Sequence, residues 1–196
     1  MHGACAIIAV PDRGNSLVLR LALAFVDIAL HRRGPDGLPA SGLLLAIVVA
    51  GYLAAAYIAL GIAPPPPGES DAAARALEFA PLMIPIESAV YAAFVWTVLK
   101  SFGRDRRFVQ TASALFGTDA LFTLMSLPLL AWVAALDAAN AAATVPTLLY
   151  WVLLFWSIDV SGFVLARAIE RPYALAVMIV IGYVLLNVSV RASLFG

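Results

Sequence analysis

Residues 100–136, KSFGRDRRFVQTASALFGTDALFTLMSLPLLAWVAAL, constrain this chain more than any other stretch. Four basic side chains, Lys100, Arg104, Arg106 and Arg107, stand close together and are followed by an apolar run from about 108 to 136. That run contains one acid, Asp119, and one proline, Pro128. A helix needs about 20 apolar residues to cross the roughly 30 Å hydrocarbon core of a bilayer. The run is long enough, so it reads as a transmembrane helix, and the basic cluster at its start marks the side on which that end is retained.

Four further segments meet the same criterion, at about 41–63, 79–100, 146–167 and 173–192. The composition agrees: 12% of residues are charged and mean hydropathy is +0.97, against about 25% charged residues in soluble domains. Pro64 to Pro67 end the first span, because four prolines in a row force an extended segment. A loop through Glu78 follows, with Pro81 and Pro85 in the first turns of the next span. An alanine-rich stretch, DAANAAATVP, precedes the fourth span, and Arg167 to Pro172 form a tight turn before the fifth. Within 41–63 small residues recur at every fourth position: Gly42, Ala46, Ala50 and Ala54, and beside them Gly51, Ala55, Ala59 and Ala63. Such ridges let helix backbones approach closely. Packing inside the monomer is the expected use, with self-association as the alternative.

Residues 17–30 are apolar but too short for the 17–25 residues that a span requires. Arg20, Asp27 and His31 fall on one stripe of a helix there, which suits a segment lying in the interface. His31, Arg32 and Arg33 would anchor its end among headgroups. A sixth span is the alternative, and it would bury Arg20 and Asp27. The expected fold is therefore an all-α membrane protein, a bundle of five transmembrane helices with an N-terminal interfacial amphipathic helix. Residues 1–16 read as a flexible tail, 17–39 as the interfacial helix and turn, and 40–196 as the five-span transmembrane domain. No basic n-region and apolar core resembling a signal peptide stands in the tail.

Ten Lys and Arg residues fall on one side of this topology and only Arg75 and Arg191 on the other. By the positive-inside rule the N-terminus is cytoplasmic and the C-terminus periplasmic or extracellular. The high alanine content and short loops point to a bacterial inner membrane.

Glu87, Asp119 and Asp159 fall inside spans. An acid at a helix centre costs about 2.5–3.5 kcal/mol on insertion scales, so each needs a reason. Counted from Lys100, Arg107 and Arg167 they lie about 20, 18 and 12 Å in, at 1.5 Å per residue. Asn187 and several hydroxyl residues stand at similar depths, which makes Glu87, Asp119, Asp159 and Asn187 a candidate intramembrane polar cluster. No basic residue is expected at that level, so protonation is the cheapest way to neutralise these acids. Two readings fit. The acids are hydrogen-bonding glue between helices, or they form a proton or cation site of a small transporter or channel.

Catalytic motifs are absent: there is no HExxH, no Walker A loop and no Gly-x-Ser-x-Gly. One cysteine, Cys5, and two histidines, His2 and His31, leave no material for a metal cage. The chain is accordingly read as non-enzymatic, with no cofactor, metal or catalytic residues. Its partners are membrane lipids, and other membrane proteins or further copies of itself. The basic cluster is explained by topology without nucleic acid.

The run from Phe108 through Gln110-Thr111 and Gly117-Thr118-Asp119 to Pro128 resembles the middle spans of prokaryotic members of the Yip family. The layout over about residues 40–192 is also similar: a cytoplasmic N-terminal segment, five close-set spans and a C-terminus on the far side. Eukaryotic members carry a long cytoplasmic N-terminal region and are linked to Rab GTPases and vesicle traffic. The segment ahead of the first span is short here. The resemblance implies an integral membrane protein, without implying a GTPase partner; the helix faces rich in small residues and the basic cytoplasmic surface point to a role in organising or assembling with other membrane components.

Overall fold

A computed structural model describes residues 17–62, 71–136 and 144–195. Six helices follow one another: α1 (Leu17–Ala29), α2 (Gly42–Ile62), α3 (Asp71–Ser101), α4 (Phe108–Ala134), α5 (Thr144–Ile169) and α6 (Tyr173–Phe195). Short 3-10 turns precede α2 and α4, at Pro35–Gly37 and Asp105–Arg107. Among the described residues five segments are long and apolar enough to cross a membrane: Gly42–Ile62, Glu78–Ser101, Asp105–Ala134, Thr144–Ile169 and Tyr173–Val190. The chain is thus a helical membrane bundle with five spans, as expected. The N-terminal tail, the polyproline segment at 64–67 and most of the alanine-rich loop lie outside the described residues.

Helix α4 is the centre. Residues Thr111 to Thr118 are all buried, more than two turns enclosed on every side. A helix surrounded in this way needs small residues around its girth, and TASALFGT supplies them. The threonines return their hydroxyls to their own helix, Thr111 Oγ1 to the carbonyl of Arg107 at 2.9 Å and Thr118 Oγ1 to that of Ala114 at 2.9 Å. Neither therefore demands a partner from a neighbouring helix. The most extensive contact in the bundle is α2 on α4, followed by α5 on α6 and α4 on α5.

Helix α2 meets α4 through Leu44, Val48 and Ala55, with Leu45, Val49 and Tyr52 alongside. Its first row of small residues does not do this work. Gly42, Ala46, Ala50 and Ala54 are exposed, and a side chain at Gly42 or Gly51 would meet nothing within 4 Å. The expected packing inside the monomer is corrected for this first row, which at 100° per residue lies opposite the face that the larger side chains bury; in the neighbouring row Ala55 is buried.

Helix α3 begins at Asp71, eight residues before the expected start, because DAAARALE is rich in strong helix formers. Pro81 and Pro85 are then interior. Pro85 has no N–H to give the carbonyl of Pro81 four residues back. Tyr57 of α2 replaces it, its hydroxyl donating to that carbonyl at 2.8 Å.

Helix α1 has 13 residues and is too short to span. It docks on the bundle through Phe25, Ile28 and Ala29. Phe25 lies on α4 at Gly117, where a Cβ would come within 2.1 Å of its ring. Trp156 of α5 donates its Nε1–H to the carbonyl of Ala29 at 3.1 Å. Gly117 is ten residues beyond Arg107, about 15 Å along α4.

Candidate functional site

Glu87, Asp119 and Asn187 line one cavity of about 250 Å³ among α2, α3, α4, α5 and α6. Three of the four residues expected to cluster are therefore brought together. The walls carry hydroxyls: Tyr52, Ser88, Tyr91, Ser157, Ser161 and Tyr183. The site is polar in chemistry yet lies between helices that are apolar on their outer faces.

Aromatic rings build its side. Phe116 of α4 takes the edge of Tyr52 at 5.4 Å between ring centroids and that of Tyr91 at 5.5 Å. Tyr91 meets Tyr183 of α6 at 5.2 Å, and Phe94 stacks on the same tyrosine at 4.6 Å. Four spans are thus linked through one chain of rings. Such pairs contribute about 0.5–1.5 kcal/mol each beyond the area they bury. The chain also sets the Tyr91 hydroxyl in the cavity that Ser161 and Asp119 line. Sequence inspection noted the hydroxyls by depth, but the Tyr52–Phe116–Tyr91–Tyr183 ladder was legible only as scattered aromatics. Three helices separate its members along the chain.

Helical back-bonding leaves part of this wall self-contained. Ser88 Oγ donates to the carbonyl of Ile84 at 2.7 Å and Ser157 Oγ to that of Leu154 at 2.9 Å. These hydroxyls keep lone pairs free to accept from whatever enters. Asp119 forms no ion pair among the described residues.

Asp159 is not part of the cavity, which corrects the expected cluster. Leu154, Ser157, Ile158 and Ser161 are the residues of α5 that face inward. Asp159 stands two residues from each of the serines, about 200° around the helix. It lies instead in a second cavity, with His31, Phe163, Arg167, Arg171 and Tyr173. Its Oδ2 is 3.3 Å from His31 Nε2, and its Oδ1 accepts from the Tyr173 hydroxyl. The expectation that no basic residue stands at the level of these acids therefore fails here, at a side chain that is half-exposed. His31, expected among headgroups, closes α1 onto α5 and also sets its ring edge against Phe163, 4.4 Å between centroids.

The basic cluster divides. Arg104 and Arg107 both pair with Glu170 at the end of α5, the latter at 2.6 Å. Arg107 also points Nη1 at the carbonyls of Arg167 and Ala168, each at 3.4 Å, where the negative end of the α5 dipole lies. Lys100 covers the ring of Trp96 at 4.5 Å, and Arg106 is exposed. Gln110 donates to the carbonyl of Leu38 at 2.9 Å and ties the segment after α1 to α4.

Three helices end near this cluster in left-handed caps: α1 at His31 (φ 59°), α3 at Gly103 (φ 69°) and α5 at Glu170 (φ 54°). In each the following amide reaches back five residues: Arg32 to Asp27 at 2.8 Å, Arg104 to Leu99 at 2.8 Å and Arg171 to Ala166 at 3.2 Å. Glycine suits that conformation and other residues pay about 1–2 kcal/mol. The two positions that forgo glycine are the two whose side chains reach a charged residue, His31 on Asp159 and Glu170 on Arg104 and Arg107.

Among the described residues no group of three His, Cys, Asp or Glu side chains could hold a metal ion. No family model matches the chain, and neither a curated protein nor a solved structure shows significant similarity to it.

Proposed function

We propose that this is a Yip-like integral protein of a bacterial inner membrane that acts by assembling with other membrane components rather than by catalysis. The observation that carries the reading is the outward face of α2. Gly42, Ala46, Ala50 and Ala54 form a row of small residues on a span, turned away from the bundle. The monomer gains no packing from it, and a neighbouring transmembrane helix could approach it closely. This reading puts the N-terminus on the cytoplasmic side, and the gathering of Arg104, Arg106, Arg107, Arg167 and Arg171 at one end supports it.

Single cysteines introduced along α2 in a Cys5→Ser background test this in native membranes. Ala46→Cys, Ala50→Cys and Ala54→Cys should crosslink to a defined partner or a second copy, whereas Leu44→Cys and Val48→Cys should not. Uniform absence of crosslinks along the helix would remove the reading.

A second reading is favoured by a specific observation: Glu87 and Asp119 share one cavity with Asn187. Carboxylates arranged in that way suit a proton- or cation-coupled transporter or channel. Asp119→Asn should then abolish a pH-dependent flux in proteoliposomes while the protein stays folded; undiminished flux would exclude it.

A further inference from the structure

The α5–α6 turn carries two arginines that the ion pairs around it leave over. Arg104 and Arg107 converge on Glu170, and Asp159 is met by His31 and Tyr173. Among the described residues neither Arg167 nor Arg171 forms an ion pair. Each lies over an aromatic ring instead. The guanidinium carbon of Arg167 is 5.4 Å from the centroid of Phe163, and that of Arg171 is 5.7 Å from Phe102. A ring beneath the guanidinium face restrains the group while its edge keeps N–H donors for another ligand.

Two cavities flank the turn, of about 590 and 520 Å³, and both are lined by Arg167 and Arg171. Their acids are already engaged as described, apart from Asp36, which is exposed at the rim of the first. Over 31–38, 100–107 and 159–173, which surround the two cavities, eight Lys and Arg residues face four Asp and Glu. The backbone bearing the pair is held without any ligand, by the Glu170 clamp and by the Arg171 amide on the carbonyl of Ala166 at 3.2 Å. A site fixed in advance loses little freedom on binding.

Two guanidinium forks that line the same cavities suit the oxygens of a phosphate. The surroundings choose between sources of that phosphate. Phe163 of α5 and Tyr173 at the start of α6 line the second cavity with aromatic rings, and Tyr is enriched where hydrocarbon meets headgroups. We propose that Arg167 and Arg171 bind the phosphate of one anionic phospholipid, with its glycerol against Phe163 and Tyr173. The assignment does not depend on which end of the bundle is cytoplasmic.

Native mass spectrometry of the full chain, released from nanodiscs of mixed phosphatidylglycerol and phosphatidylcholine, tests it. The unmodified protein should retain one phosphatidylglycerol, favoured roughly tenfold over phosphatidylcholine, given the attraction of two nearby cations for an anionic lipid. Equal retention of the two lipids would overturn the proposal without any variant. Arg167→Gln with Arg171→Gln should abolish the preference. Lys100→Gln with Arg106→Gln removes the same charge outside both cavities and should preserve it; equal loss in both doubles would mean attraction by charge surplus alone and would refute a site. Displacement of the lipid by millimolar inorganic phosphate would overturn the assignment to a lipid, and retention in its presence would support it.

Discussion

Asp119 and Glu170 belong to adjacent helices of one bundle and are accommodated by opposite means. Asp119 sits mid-span among hydroxyls, beside Tyr91, with no ion pair among the described residues. Glu170 sits at a helix end, held between two arginines in a backbone conformation that glycine would adopt more easily. In the span, hydrogen bonding is the available currency, because a partner cation would itself have to be desolvated. At the end, long arginines reach across from another helix while their heads stay near water. A carboxylic acid is thus set among hydroxyls in one place and clamped between arginines in the other, decided by what can reach it.

Gly162 lies between the two regions, one residue from Ser161 of the cavity and one from Phe163 of the basic end. A Cβ there would come within 2.5 Å of Val177 Cγ2 and 3.3 Å of its backbone Cα. Gly162→Leu should push α5 from α6 and disturb both regions together, destabilising the protein by about 1–3 kcal/mol. Thermal unfolding in detergent measures this, with Gly182→Leu as the control, since that position meets nothing within 4 Å. A stable Gly162→Leu protein would show that the regions do not share the α5–α6 contact.

The cavity can then be probed by itself. Asp119→Leu removes the acceptor beside Tyr91 and should cost about 1–3 kcal/mol in the same assay, whereas Asp119→Asn, which keeps an acceptor, should cost less than about 1 kcal/mol. Equal losses would mean that shape rather than hydrogen bonding holds the site.

Glu170→Ala deletes a clamp between half-exposed groups, for which about 1 kcal/mol is a generous figure. Glu170→Gly deletes it too but relieves the left-handed backbone, and should be more stable than Glu170→Ala by about 1 kcal/mol. Identical midpoints for the two variants would argue against strain at this position. The smallest expected effect is that of salt. At about 1 M, where the Debye length is near 3 Å, the gap between wild type and Glu170→Ala should narrow, while that between wild type and Asp119→Asn should not. Parallel narrowing of both gaps would break the distinction.

The spans were legible because apolar length is a one-dimensional property, and the break at Arg167–Pro172 was read from local residue types. The start of α3 was missed because prolines at 81 and 85 suggest a helix start, whereas Tyr57, 24 residues away, makes them tolerable inside one. Depth along a helix could be counted, and it brought Glu87, Asp119 and Asn187 to one level. Rotation about the helix axis could not, since it is set by packing. That is why Asp159, two residues from Ser157 and Ser161, was placed in a cluster it does not join. The union of His31 with Asp159 needed α1 to fold back on α5, and no local signal carries that.

The enclosure of α4 bears on the order in which the protein is made. Its main contact is with α2, yet α3 leaves the ribosome between them. Until residues 108–134 enter the bilayer, α2 has lipid on the face that Leu44, Val48 and Ala55 will later bury, and Phe25 has no Gly117 to rest on. The first half of the chain must therefore wait, inserted but unpacked, for the fourth helix to arrive and collect it. A nascent chain stalled before that helix should be the form most open to membrane quality control.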